Sequence, residues 1–170
     1  MKKTLLMYWP KGGNVEYSAN LIHKKFQDAD IRPIDDVSLD DIRNYDHFII
    51  GCSTVGAATW DSSENEEPWT RVMGEFEEVG VKDKTMAIFG LGDQVRWPQH
   101  FVDGMAIIYE KTLKLGAKVV GAWPVEGYDF MESESQLGDN FCGLALDQDQ
   151  QAELTEERVE KWVAQIKKEF

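Results

Sequence analysis

Cysteine is scarce: two residues in 170, Cys52 and Cys142, leave no room for a disulfide framework or a thiolate metal cluster. Each borders an apolar run, neither stands in a CxxC, and no His lies at ligand spacing, so both read as buried free thiols. Histidine is scarce as well. The three present are scattered, with no Ser/His/Asp order and no metal-ligating cluster, which removes the common hydrolytic and metal-dependent chemistries. Positive charge is short: 18 Lys and Arg against 31 Asp and Glu give a net charge of −13. Phosphates would repel such a chain, so nucleic acid and anionic membrane surfaces are poor partners and a basic protein face is a better one. The same charge also serves solubility alone.

No apolar run is long enough to span a bilayer. The start, Met1 to Tyr8, has a basic pair before apolar residues, but the run is short and meets Trp9-Pro10-Lys11 without a cleavage-like site, so a cytoplasmic protein is expected. No Ser/Gly/Pro-rich linker, repeat or low-complexity tract divides the sequence, which predicts one domain over residues 1–170.

What is present is alternation. Short continuous apolar runs at Thr4 to Tyr8, Asp46 to Gly51, Thr85 to Gly90 and Lys118 to Gly121 suit parallel strands buried on both faces. Ile31 to Ile34 is a weaker strand whose Pro33 suggests a sheet edge. Between them, Val15 to Phe26 and His100 to Leu115 carry apolar residues at helical spacing. A terminal helix is predicted with Thr155 as N-cap and Val159, Trp162, Val163 and Ile166 as its apolar stripe. The pattern predicts an α/β, doubly wound sheet with right-handed crossovers, whose ligand site lies outside the carboxyl ends of the strands. The segment Trp123 to Cys142, rich in Gly, Asp, Glu and Ser, reads as an excursion from the fifth strand, resumed by Phe141 to Leu146.

Three loops follow carboxyl ends of predicted strands. Trp9-Pro10-Lys11-Gly12-Gly13-Asn14-Val15 leads into a helix, and its glycines let successive N–H groups converge as an anion site. It is not a Walker loop, because no Gly-Lys-Ser/Thr follows. The second loop, Cys52 to Trp69, contains Thr59-Trp60-Asp61-Ser62, and the third runs from Gly90-Leu91-Gly92-Asp93 through Trp97 to His100-Phe101. Two Trp residues in polar loops at one end of a sheet would grip a planar ligand.

Phe89-Gly90-Leu91-Gly92-Asp93-Gln94, Gly116 to Trp123, Glu126-Gly127-Tyr128-Asp129-Phe130, Phe141 to Asp147 and the terminal Arg158 to Ile166 resemble the second half of long-chain flavodoxins. The likeness extends over the whole chain, most strongly from Lys84 onward. It implies a flavodoxin-like five-stranded parallel sheet of order 2-1-3-4-5 with helices on both faces, and the excursion as the insertion of the long-chain class. Flavodoxins are themselves a standing illustration of ligand binding at the strands' carboxyl ends. By the resemblance the first loop (Pro10, Lys11, Gly12, Gly13, Asn14, Val15) holds the phosphate of FMN. The other two (Thr59, Trp60, Asp61, Ser62; Gly90, Leu91, Gly92, Asp93, Trp97, His100, Phe101) flank its ring, with Trp97 on the outer face.

Two departures from the family pattern stand out. Pro10, Gly12 and Val15 occupy positions where the family has hydroxyl residues, so backbone N–H groups and the Lys11 charge are expected to carry the phosphate. In the middle loop an ungapped match puts Val55 at the inner-face position, whereas an insertion of about five residues around Ser53 to Ala57 puts Trp60 there and preserves the spacing to Trp69. The function implied is a low-potential electron carrier, not a catalyst, with FMN held non-covalently. It would act as a monomer with redox partners such as a ferredoxin/flavodoxin reductase or another oxidoreductase with a basic docking face. The competing readings are a flavodoxin-like FMN-dependent reductase acting on quinones, told apart by NAD(P)H oxidation without an added reductase, and a flavin-free interaction module, which would be colourless. A phosphorylatable receiver is disfavoured, since Tyr8-Trp9-Pro10-Lys11 lacks the acidic cluster that such domains need.

Overall fold

The computed structural model describes residues 2–53 and 63–170. Strands β1 (Thr4–Tyr8), β3 (His47–Ser53) and β4 (Thr85–Leu91) are buried almost throughout, as their continuous apolar character requires. β2 (Ala29–Pro33) is half-exposed at the sheet edge, and Pro33 stands at its last position, where a missing N–H costs least. The strands are parallel in the order β2-β1-β3-β4-β5, with β5 at Lys118–Val120. The predicted doubly wound architecture is thus the observed one.

Successive side chains of each strand enter opposite layers. Leu5, Met7, Phe48, Ile50, Met86 and Ile88 pack with α2 (Leu39–Asn44), α3 (Ser63–Val79) and α4 (Asp103–Lys114). Leu6, Tyr8, Ile49, Ala87 and Phe89 face α1 (Asn14–Phe26) and α5 (Ala152–Glu169), where Ile22, Val159, Trp162 and Ile166 are fully buried. Each such side chain contributes about 1.5–3 kcal/mol through area removed from water.

The excursion is visible in the register. β5 pairs with β4 from Thr85↔Lys118 to Ala87↔Val120, and β9 (Leu144–Leu146) continues on the same flank from Phe89↔Leu144 to Leu91↔Leu146. Between them β6 (Trp123–Pro124), β7 (Gln136–Leu137) and β8 (Asn140–Phe141) form a small antiparallel sheet. The strand is resumed at Leu144, three residues later than the sequence pattern suggested, because Phe141 pairs with Trp123 and Gln136 in that small sheet. Gly143 makes the return possible: a Cβ there would stand 2.1 Å from the Ile88 carbonyl oxygen. Tyr128 locks the excursion down, its hydroxyl donating to the Ala145 carbonyl at 2.6 Å and accepting from Trp123 Nε1 at 2.9 Å. Burial pushes this phenol up to about 12.

Two helix starts differ from expectation. α5 begins a turn early, after Gln151, because Gln151 N–H bonds back to the Asp147 carbonyl at 3.0 Å. Thr155 is therefore inside the helix, buried and bonded to the Gln148 side chain, and is not the N-cap. α4 begins at Asp103, after Val102 in a left-handed conformation at φ 51°, so His100 and Phe101 belong to the preceding loop.

Candidate functional site

The first loop leaves the carboxyl end of β1. Gly12 and Gly13 adopt φ 70° and 92°, and a Cβ on either would meet nothing within 4 Å. Glycine is needed here for the backbone turn and not for space. Gly13 is the N-cap of α1 and supplies no side-chain acceptor. The amide groups of the first turn thus point outward without a capping oxygen, which makes an anion site. Below them Glu16 braces the loop: its Oε1 accepts from the Tyr8 hydroxyl at 2.6 Å and its Oε2 from the Gly12 N–H at 3.2 Å. Burial, then the Glu16 bond and charge, hold the Tyr8 phenol up at about 12.

Lys11 corrects an expectation. Its ammonium lies 2.6 Å from Asp35 Oδ2, on the turn after β2, and 5.5 Å above the Trp9 ring. The Asp35 bond raises its pKa. The charge is directed at a fixed carboxylate 24 residues away and not into the loop.

The third loop is tied on two sides. Asp147, fully buried after β9, accepts from the N–H of Gln94 at 2.9 Å, of Asp149 at 3.1 Å and of Gln150 at 2.9 Å. Asp93 Oδ1 accepts from the N–H of Val95 and Arg96 and from Gln150 Nε2, at 3.0, 2.9 and 3.1 Å. Partial burial works against the Asp93 charge, but these bonds outweigh it and hold the carboxyl below its usual value. From the other side the excursion clasps residues 98–103. Met131 and Glu132 N–H donate to the Pro98 carbonyl, and the hydroxyls of Ser133 and Ser135 donate to the carbonyls of Phe101 and Val102. Glu134 N–H reaches buried Asp103, whose other oxygen pairs with His100 Nδ1 at 3.0 Å.

A cleft of about 190 Å³ lies between these loops, lined by Pro10, Gly12, Asn14, Val15, Ser53, Leu91, Gly92, Asp93, Arg96, Trp97 and Asp149. Trp97, 45% exposed, presents its ring at the outer wall. Of the residues expected from sequence, those of the first and third loops largely meet there. Lys11 and Gly13 do not line it. Gly90 is set back under Met105, whose Cγ would stand 2.5 Å from a Cβ. The Phe101 ring has no exposed surface and packs on Tyr128, Phe130 and Phe141, so it supports the loop and does not face the cleft. His100 is half-exposed beside it, turned to Asp103. Thr59, Trp60, Asp61 and Ser62, with the alternative Val55, lie outside the described residues.

Ser53 and Arg96 were not singled out from sequence, whereas Asp149 was expected near the ligand as a negative charge only. Ser53 ends β3 and Asp149 follows β9, so both stand at the carboxyl end of the sheet where the topology places the site. Arg96 had a weaker signal, its position directly before Trp97. Uncapped amides, open glycines and an exposed indole in one cleft suit a ligand carrying both an anion and a planar ring.

The family model described as flavodoxin matches residues 6–162. A flavodoxin of Synechocystis sp. is 42% identical over 170 residues, covering 98% of this chain and 97% of its own. One of Picosynechococcus sp. is 40% identical over 173 residues, covering 100% and 99%. The crystal structure of Fusobacterium nucleatum flavodoxin bound to flavin mononucleotide is 27% identical, with TM-score 0.86 and coverage of 100% of this chain and 99% of that one.

Proposed function

This chain belongs to the flavodoxin family, and we propose that its cleft between the first and third loops holds one FMN, with the phosphate at the start of α1 and the ring against Trp97. As a flavodoxin it is an FMN-dependent electron-transfer protein, a carrier and not a catalyst. The observation that carries the site is the junction, in one cleft, of the uncapped α1 N-terminus with an exposed Trp ring.

Bound FMN supplies the redox chemistry, accepting and releasing electrons. The residues of the chain do the rest. Backbone N–H groups of the Gly13–Val15 turn take the phosphate, favoured by the positive end of the helix dipole. Leu91, Gly92 and Trp97 cover the ring, and Trp60 is the proposed inner partner, with Thr59, Asp61 and Ser62 beside it. Asp93 and Asp149 place negative charge at the cleft, which opposes the added charge of the reduced cofactor and lowers its potential. Asp93 is well suited to this, since its bonds keep it ionised.

Among the described residues no helix is long and apolar enough to cross a membrane. The proposed setting is the cytoplasm, as a one-domain monomer docking through its acidic surface on a basic face of a reductase or oxidoreductase. The chain's net charge of −13 supports that choice of partner. The test is the visible spectrum of the purified protein with and without added FMN, followed by stepwise reduction. A yellow 1:1 complex that takes up electrons, and oxidises NAD(P)H only when a reductase is added, is expected. A colourless protein that ignores FMN would refute the reading.

A further inference from the structure

The phosphate end of this cleft has backbone donors but is short of side-chain ones. Pro10, Gly12 and Val15 carry no hydroxyl, Gly12 N–H is engaged by the Glu16 carboxylate, and the Lys11 ammonium is paired with Asp35. Two carboxylates, Asp93 and Asp149, line the same space and would repel a phosphate. One side chain on the wall has the opposite sign: Arg96, exposed and in no ion pair among the described residues. Its backbone is fixed, since its N–H donates to Asp93 Oδ1 at 2.9 Å. Arg96 lines the same small cleft as Pro10, Gly12 and Asn14. A guanidinium offers a planar fork of donors that matches two phosphate oxygens at once, and it never loses its charge at working pH.

We propose that Arg96 is the specificity-determining cation of this site, pairing with the FMN phosphate from across the cleft and replacing the donors that the first loop lacks. The inference rests on FMN being the ligand. It assigns to the third loop a task that the first loop cannot perform alone, and it explains how a hydroxyl-free turn in an acidic cleft selects a phosphorylated flavin. Arg96 also offsets Asp93 and Asp149, so removing it exposes the phosphate to their full repulsion.

FMN and riboflavin, which lacks the phosphate, are titrated into the flavin-free full chain and its R96A, R96K and K11A variants at low and moderate salt, with circular dichroism as a check of folding. R96A is expected to weaken FMN by about ten- to hundredfold and to leave riboflavin within about twofold. R96K should recover part of the loss, keeping the charge without the fork. K11A should change FMN by less than about threefold, and the salt dependence of FMN binding should shrink in R96A. A folded R96A that binds FMN as wild type does, or loses FMN and riboflavin in equal proportion, overturns the assignment while the FMN reading stands. A wild type that takes up neither flavin removes the FMN reading and the Arg96 role with it.

Discussion

The two walls of the cleft are built in opposite ways. The first loop is shaped by its backbone: two positive-φ glycines, an uncapped helix end and one brace, Glu16. The third loop is shaped by side chains, with Asp147 and Asp93 inside it and Ser133, Ser135 and the 131–134 amides holding it from the excursion. The first wall therefore keeps donors unspent for a ligand. The second spends nearly all of its polar groups on itself and presents the Trp97 ring and the Arg96 charge. A site divided in this way needs preorganisation on one side and vacant hydrogen-bonding capacity on the other, and the sequence concentrates its glycines and its acids accordingly.

The contrast predicts unequal costs. Asp147→Ala, which strands one buried and two part-buried N–H groups, should destabilise the protein by about 3–5 kcal/mol in a denaturant titration. Gly13→Ala has open space around it but must hold φ 92° and ψ −155°, so it should cost about 1–3 kcal/mol, with a loss of FMN affinity as the turn re-forms. If the order is reversed, the side-chain account of the third loop is wrong. The smallest effect is expected at the far end of the sheet. His47 is buried, its ring 4.5 Å from that of Phe170, and burial, then the charge of Lys2, lowers its pKa below the ordinary 6.5. The folded state thus prefers the neutral ring. Its contribution is complete above the unfolded value and is lost as pH falls through the lowered one. His47→Gln should flatten the stability-versus-pH slope just below about pH 6.5 without changing FMN binding at pH 7, measured by denaturation at a series of pH values.

Much of this was legible in the sequence, because apolar runs too short for helices and too continuous for half-exposed strands have few other uses. The excursion was legible from its resemblance, although its return point was set by Gly143 and by the pairing of Phe141, both of which depend on tertiary neighbours. The Lys11 and Asp35 pair joins residues 24 apart and follows from β1 and β2 lying side by side. Phe101 looked like a loop residue in a ligand wall and is a core residue of the excursion, since the loop it sits in is roofed by residues 128–141. Thr155 had the right chemistry for an N-cap, but the Asp147 turn starts the helix earlier.

The central claim is that this hydroxyl-free loop and the Trp97 loop together hold one flavin mononucleotide. The most direct test is a fluorescence titration of the flavin-free full chain with FMN, run beside Trp97→Ala. The account predicts one FMN per chain, strong quenching of flavin emission in the wild type, and both weaker binding and weaker quenching in the variant. Unchanged affinity and quenching in Trp97→Ala, or no saturable binding in the wild type, would contradict it.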